Sequence, residues 1–420
     1  MPRRGLGPIA TVALAAVVLP LACTDDDDAA PTSVAAPSTT TTEPARNDND
    51  ALTIGQLLPA SGEGASIGQG MSEAVARAVD EINAAGGVLG RPVELVTADE
   101  GSDAASAADG IDILLEAGVD AVVGPASSTV ALATLGDLLS AGVLTCSPTA
   151  TSLALDNFPS SQLFFRTAPS DSLQAEAIAK LAQQTGIFTV AVAFLDDRYG
   201  HPFADATIDA LEERALDVVR EVPFSSTDES LLDQATQLAD SEAELVVVIA
   251  DGEHGVDMLT AMGEVIRFPE VEPPEIIVND SIRRPPSAQL VQALPAAVRE
   301  RVRGVSPMAG PQFDAEPPGP FATNAYDCVN LIALSALQAG TDEPMQMATR
   351  MTEAAARGQP CRDFATCADL LAAARNIDYD GPGGTVQLAA NGDPERARFD
   401  LFGFDADGVD VSLTPSLMIP

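Results

Sequence analysis

The sequence predicts an α/β protein with two parallel sheets in succession, and three observations carry that prediction. Short, continuous apolar runs of strand length alternate with segments whose apolar residues recur at helical spacing. The alternation runs from residue 52 to residue 146 and restarts near residue 172. Hydrophobic residues make up 46% of the 420, enough for large cores, and beyond the first 25 positions no apolar run is long enough to span a bilayer.

Taken in order from the N-terminus, residues 1–22 read as an export signal. Arg3 and Arg4 precede an apolar run from Ile9 to Ala22, which has the charge-then-apolar order of a secretory leader and is short for a transmembrane helix. It ends Leu19-Pro20-Leu21-Ala22-Cys23, which resembles a lipobox, although Pro20 stands where leucine is usual. Cys23 is therefore the expected lipidation site. Residues 23–50 carry the run Asp25 to Asp28, the run Thr39 to Thr42, and almost no large apolar side chain. Such a segment cannot bury enough surface to offset ordering, so it reads as a disordered acidic stalk.

The body follows. Leu52 to Leu58 is a strand, and the Gly-rich turn Gly62 to Gly68 leads into a helix with Met71, Val75, Val79 and Ile82 on one face. Val93 to Thr97 and Ala121 to Val123 are strands, Ile111 to Ala117 and Val130 to Leu139 are helical, and Val143 to Cys146 is a strand again. The second series has helices at Ser172–Gln184, Phe203–Arg214, Leu231–Ala239 and Val256–Val265. Its strands are Phe188–Leu195, Val218–Val222, Leu245–Ala250 and Ile276–Val278. Continuous apolar strands of this kind belong to parallel sheets covered on both faces. Two open parallel sheets leave a cleft facing the carboxyl ends of their strands.

Composition narrows function. There are 62 Asp and Glu against 22 Lys and Arg, for a formal net charge of −40. That charge repels a phosphate backbone, so no nucleic-acid partner is expected. The turn Gly62 to Gly68 has the context of a dinucleotide loop but the wrong glycine spacing, and the lone lysine, Lys180, is preceded at catalytic spacing by Glu176 rather than tyrosine. No nucleophile elbow or metalloprotease motif occurs, and His201 and His254 stand apart from other ligands as surface histidines. No enzyme, cofactor or metal is expected. The stretch Asp405 to Asp410 is read as a hairpin turn rather than a calcium loop. Among the four body cysteines, Cys361 and Cys367 are preferred as a local disulfide, with Cys146 and Cys328 as buried thiols, out of three possible pairings.

Two hydroxyl-rich turns are the candidate chemistry. They follow consecutive strands, Gly124 to Thr129 and Ser147 to Thr151, and place hydroxyls and free N–H groups at strand ends beside a helix N-terminus. Such groups favour a carboxylate, although plain N-capping explains most serines there. Acids stand at the strand ends of the second series, at Asp196, Asp197, Asp251 and Asp280. They suit a ligand ammonium, or simply a solvated surface.

The segment "LTIGQLLPASGEGASIGQGMSEAVARAVDEINAAGGVLGRPVELVTAD", followed in order by "VVGPASSTV", "VLTCSPTAT", "FLDDRYGHPFADA" and "FATNAYDCV", resembles the exported leucine/isoleucine/valine-binding proteins of ABC importers, of the periplasmic binding protein-like I fold. The resemblance implies two Rossmann-like lobes joined by three hinge crossovers. Lobe 1 would hold residues 51–169 and about 302–395, and lobe 2 residues 170–301 and about 396–420. It implies that Ser128, Thr149, Ala150 and Thr151 hold a ligand α-carboxylate, that Asp280 holds the α-ammonium, and that Tyr199 lines the site. Ile67, Asp251 and Phe321 stand at pocket positions where aromatic residues are common, so the side-chain pocket is remodelled. A cysteine pair of some relatives is replaced by Ser102 and Ser127.

The implied protein is a monomeric, membrane-anchored extracytoplasmic lipoprotein. It would capture a small polar solute, foremost a branched-chain amino acid, and deliver it to an ABC permease. A ligand-sensing lipoprotein and an amide- or urea-type ligand are the alternatives.

Overall fold

A computed structural model describes residues 51–62, 64–158, 162–228, 230–266, 273–284, 287–307 and 319–420. The expected signal, the lipidation site Cys23 and the stalk lie outside the described residues.

The first sheet has five strands, β1 (Thr53–Leu58), β2 (Glu94–Asp99), β3 (Ala121–Val123), β4 (Leu144–Ser147) and β5 (Phe164–Arg166), in the order β2-β1-β3-β4-β5. All its pairings are parallel. The connecting helices are α1 (Ala65–Ala84), α2 (Ala104–Glu116) and α3 (Ser128–Ser140). Gly68 lies inside α1, where a Cβ would run into the Pro59 carbonyl, so the glycine permits the helix to approach the first strand closely. Asp103 caps α2 by accepting from the N–H groups of Ala105 and Ser106, and Ser127 caps α3.

The chain then builds the second sheet, with β6 (Thr189–Leu195), β7 (Asp217–Phe224), β8 (Leu245–Ile249), β9 (Glu275–Val278) and β10 (Val302–Pro307). Between them run α4 (Asp171–Thr185), α5 (Gly200–Glu213), α6 (Leu232–Asp240), α7 (Gly252–Ile266), and the short α8 (Ser287–Val291) and α9 (Ala296–Arg299). Every residue of β8, Leu-Val-Val-Val-Ile, is buried, because apolar clusters cover both faces of the sheet.

After β10 the chain returns to the first core with α10 (Ala322–Ala339), α11 (Pro344–Ala354), β11 (Gln359–Cys361), α12 (Phe364–Ala372) and β12 (Ile377–Tyr379). It ends in the hairpin β13 (Ala397–Phe404) and β14 (Asp410–Ile419), which extends the second sheet to the order β14-β13-β10-β9-β8-β6-β7. The turn of this hairpin is the Asp-Gly stretch read from the sequence, with Asp405 accepting from the N–H groups of Asp407 and Val409.

Two expectations need correction. The return to the first lobe was placed at about residue 302, but β10 pairs in parallel with β9 and antiparallel with β13, so Val302–Pro307 belongs to the second sheet. An apolar strand carries no mark of which sheet it joins. Cys146 and Cys328 were read as thiols, but they form a disulfide, with Cα atoms 5.7 Å apart and the two cysteines 182 positions apart in sequence. The reason is that α10 packs across the first sheet and sets Cys328 against β4. The local bridge Cys361–Cys367 is present.

Candidate ligand-binding site

The carboxyl ends of β1 to β4 converge on one edge of the first sheet. Gly124 adopts φ +125° there, and a Cβ would meet the Leu57 carbonyl, so only glycine lets β3 turn into α3 at this place. Glu100 follows β2, is fully buried, and accepts from the N–H groups of Ala126 and Ser127, each at 2.7 Å. Those amides at the start of α3 are therefore already spent on a carboxylate of the chain itself. Burial pushes the Glu100 carboxyl up to about 7, against the opposing pull of the two N–H groups.

The second turn is braced from below. Ser147 donates to the Pro125 carbonyl at 2.6 Å and accepts from the Ala150 N–H at 3.0 Å. Thr149 donates to the Ala126 carbonyl, and the Ser152 N–H donates to the Ser128 hydroxyl at 3.2 Å, so the two hydroxyl turns are tied together. Beneath them Arg166 is fully buried and donates to the carbonyls of Ala150 and Ser152, both at 3.1 Å. Its other nitrogens pair with Asp156 and Asp393, both at 2.6 Å. Asp156 also accepts from Ser170, the cap of α4, and Asp393 accepts from Asn391. One guanidinium thus joins the binding turn to two places where the chain passes between the sheets.

The second sheet brings Tyr199, Asp251 and the segment Asn279 to Arg284. Asp251 pairs with His254, whose Nδ1 lies 2.7 Å from the carboxylate. Asn279 donates to the hydroxyls of Tyr199 and Ser281, both at 3.2 Å. Asp280 is buried, and its carboxylate accepts from Gln174 at 3.2 Å and from Arg284 Nη2 at 2.6 Å and Nε at 3.2 Å. The Arg284 guanidinium lies over the Phe321 ring, 5.1 Å from its centroid. Phe321 belongs to the first core, so this stack bridges the two lobes. Burial opposes the charge of Arg284, but the neighbouring Asp280 outweighs it and raises its pKa. Asp171, at the start of α4, is buried beside the Thr151 hydroxyl. Burial first, then the Asp280 charge, pushes Asp171 up to about 8.

A cavity of about 330 Å³ lies between these two sets of strand ends. The first sheet contributes Ile67, Glu100, Ser128, Thr149 and Thr151 to its wall, and the second contributes Tyr199, Asp251, Ser281 and Arg284. Of the residues expected to touch ligand, Ser128, Thr149, Thr151, Tyr199, Asp251 and Ile67 line it. Two do not. Ala150 is buried with its N–H on Ser147 and its carbonyl on Arg166, and Asp280 is screened from the cavity by Arg284. Phe321 meets the site only through Arg284. Arg284 was missed, although an acid followed four residues later by an arginine is a readable pairing signal on a helical turn. Among the described residues no helix is long and apolar enough to cross a membrane, and no cluster of side chains could hold a metal ion.

Comparison with known proteins agrees with this architecture. A family profile described as "Periplasmic binding protein" matches residues 51–265, just over half of the chain. The substrate-binding protein BasB of a chemotactic signal transduction system in Halobacterium salinarum is 28% identical over 368 residues, covering 82% of this chain and 84% of that protein. The leucine-binding protein LivK from Thermotoga maritima superposes with a TM-score of 0.68 at 18% identity, covering 88% of this chain and 99% of that one. LivJ from Streptococcus pneumoniae, solved in complex with isoleucine, gives a TM-score of 0.64 at 22% identity, covering 87% and 100%. At such identities the likeness to the solved structures is one of fold.

Proposed function

The chain belongs to the periplasmic binding protein family, and from that premise we propose that it is an extracytoplasmic solute-binding lipoprotein that captures a small amino-acid-type solute for an ABC importer. The observation that carries this reading is the cavity itself. Hydroxyls at the strand ends of one sheet face Tyr199, Asp251, Ser281 and Arg284 at the strand ends of the other. No covalent step is invoked, and the protein is read as a binding protein rather than an enzyme.

Ligand first meets the Ser128 and Thr151 hydroxyls, which are held in place by Arg166 and by the ties between the two turns. The lobes then close about the chain crossings. A ligand shifts an open–closed equilibrium only through its extra affinity for the closed form, so the contacts from Tyr199 and Arg284 drive closure. The closed, monomeric protein then docks on a membrane permease, tethered by lipid on Cys23. LivK, named as a leucine-binding protein, and LivJ, solved with isoleucine, favour a branched-chain amino acid as the solute. BasB, named for a chemotactic signalling system, favours a second reading in which the same closure reports ligand to a sensor.

Mass spectrometry of solute released on denaturing the purified protein tests the reading. Recovery of an amino acid or similar small polar solute is expected. An empty protein whose melting temperature is unmoved by any amino acid or amide overturns it, because a ligand that binds the native state must raise that temperature.

A further inference from the structure

We infer that Arg284 is the specificity-determining residue of this site and that it receives a carboxylate, so the ligand is an amino acid whose side chain ends in a second carboxylate. The inference rests on the amino-acid reading above and, for the ligand side chain, departs from the branched-chain solute that the relatives favour.

A guanidinium has five donors in a planar fork. In Arg284, Nε and Nη2 are directed at one oxygen of Asp280, while Nη1 makes no hydrogen bond among the described residues. Arg284 lines the cavity, and its plane is held between the Asp280 carboxylate and the Phe321 ring. A fixed fork with an uncommitted edge facing a cavity matches a carboxylate oxygen.

Competing partners are already engaged. Both oxygens of Asp280 have protein donors, Gln174 on one and Arg284 on the other, so an incoming ammonium would have to compete with the Arg284 ion pair for Asp280. Gln174 is itself anchored on the Val305 carbonyl at 2.9 Å, which keeps the pair in register. Glu100 is committed to the Ala126 and Ser127 amides, and Asp251 to His254. Arg284 is therefore the cavity's one cationic side chain among the described residues, and a wholly aliphatic ligand side chain would offer its free nitrogen no acceptor. Asp251, although bonded to His254, keeps about half of its side chain exposed on the cavity wall and so retains acceptor capacity for the ligand ammonium.

The test uses the purified full-length chain and calorimetric titration with L-glutamate, L-glutamine and L-leucine. Glutamine differs from glutamate only in the terminal group, so their ratio reads the Arg284 contact. Glutamate is expected to bind at least tenfold more tightly than either of the others, about 1.4 kcal/mol. The double variant Arg284→Met with Asp280→Asn avoids leaving a buried charge alone. In it, the glutamate-to-glutamine preference should fall to within about threefold, below roughly 1 kcal/mol. Arg284→Lys, which keeps the charge but loses the fork, should retain part of the preference. Equal loss for all three ligands in the variants would mean a structural role and overturn the inference. Leucine binding in preference to glutamate would overturn it while leaving the amino-acid reading intact. Binding of none of the three would count against both.

Discussion

Arg166→Met removes the brace beneath the binding turn, and the structure sets the size of the effect. The wild-type guanidinium is fully buried between Asp156 and Asp393, and Asp393 is itself almost fully buried. Methionine fills much of the volume but leaves two carboxylates without their cation. The cheapest response at neutral pH is for Asp393 to take up a proton. Burial already holds the Asp393 carboxyl above its ordinary value while Arg166 pulls it down, so loss of the cation pushes it further up. Breaking a buried pair in this way costs about 3–5 kcal/mol, taken as ~4 here.

The sign follows from linkage. In the variant the native state holds a proton that the unfolded chain has released, so its stability rises as pH falls toward 4. Urea unfolding of wild type and variant at pH 7.5 and pH 5 should therefore show a gap of about 4 kcal/mol that shrinks by two or more at the lower pH. Ligand affinity should fall as well, because the carbonyls of Ala150 and Ser152 lose the donor that orients Thr151. A gap below about 1 kcal/mol, or one that does not change with pH, would falsify the claim that this guanidinium is the keystone of the turn.

Three further predictions follow from other parts of the molecule. Reducing Cys146–Cys328, or replacing both with alanine, should cost up to about 5 kcal/mol, since the bridge closes a loop of 182 residues in the unfolded chain; an unchanged urea midpoint in reductant would contradict this. Burial pushes Glu100 up to about 7 and Asp171 and Asp327 up to about 8, so the native state holds protons that the unfolded chain loses between about pH 4 and 5. Stability should accordingly decline as pH rises from 5 to 8.5, and calorimetric melting temperatures that stay level or climb would refute it. Cys23→Ser should shift the protein from the membrane fraction to the soluble extracytoplasmic fraction, as read by fractionation and immunoblot; full retention on the membrane would rule out the lipid anchor.

Local pattern carried much of the fold. The segments Leu245 to Ala250 and Ile276 to Val278 were readable as strands because both faces of a parallel sheet demand apolar residues without interruption. The hydroxyl turns were readable as turns because serine and threonine between a strand and a helix commonly cap the helix, a pattern that does not by itself separate capping from binding. The short β10 was assigned to the wrong lobe, since Val302 and Val305 would fit either core equally well. Glu100 escaped notice because an acid at a strand end looks like solvated surface until its burial is seen.

Most of the strands and helices up to residue 278, and the hydroxyl character of one wall, were determined by the sequence alone, because each depends on neighbours within a few residues. The Cys146–Cys328 bridge and the Arg284–Phe321 stack were decided only in the folded chain. Those contacts join residues far apart along the backbone, and distance in space, not spacing in sequence, governs a disulfide or a stacked cation. The same holds for Asp280. Its place at the end of β9 was legible, but its partner was settled by which donor, guanidinium or incoming ammonium, the packing around Gln174 and Phe321 holds against it.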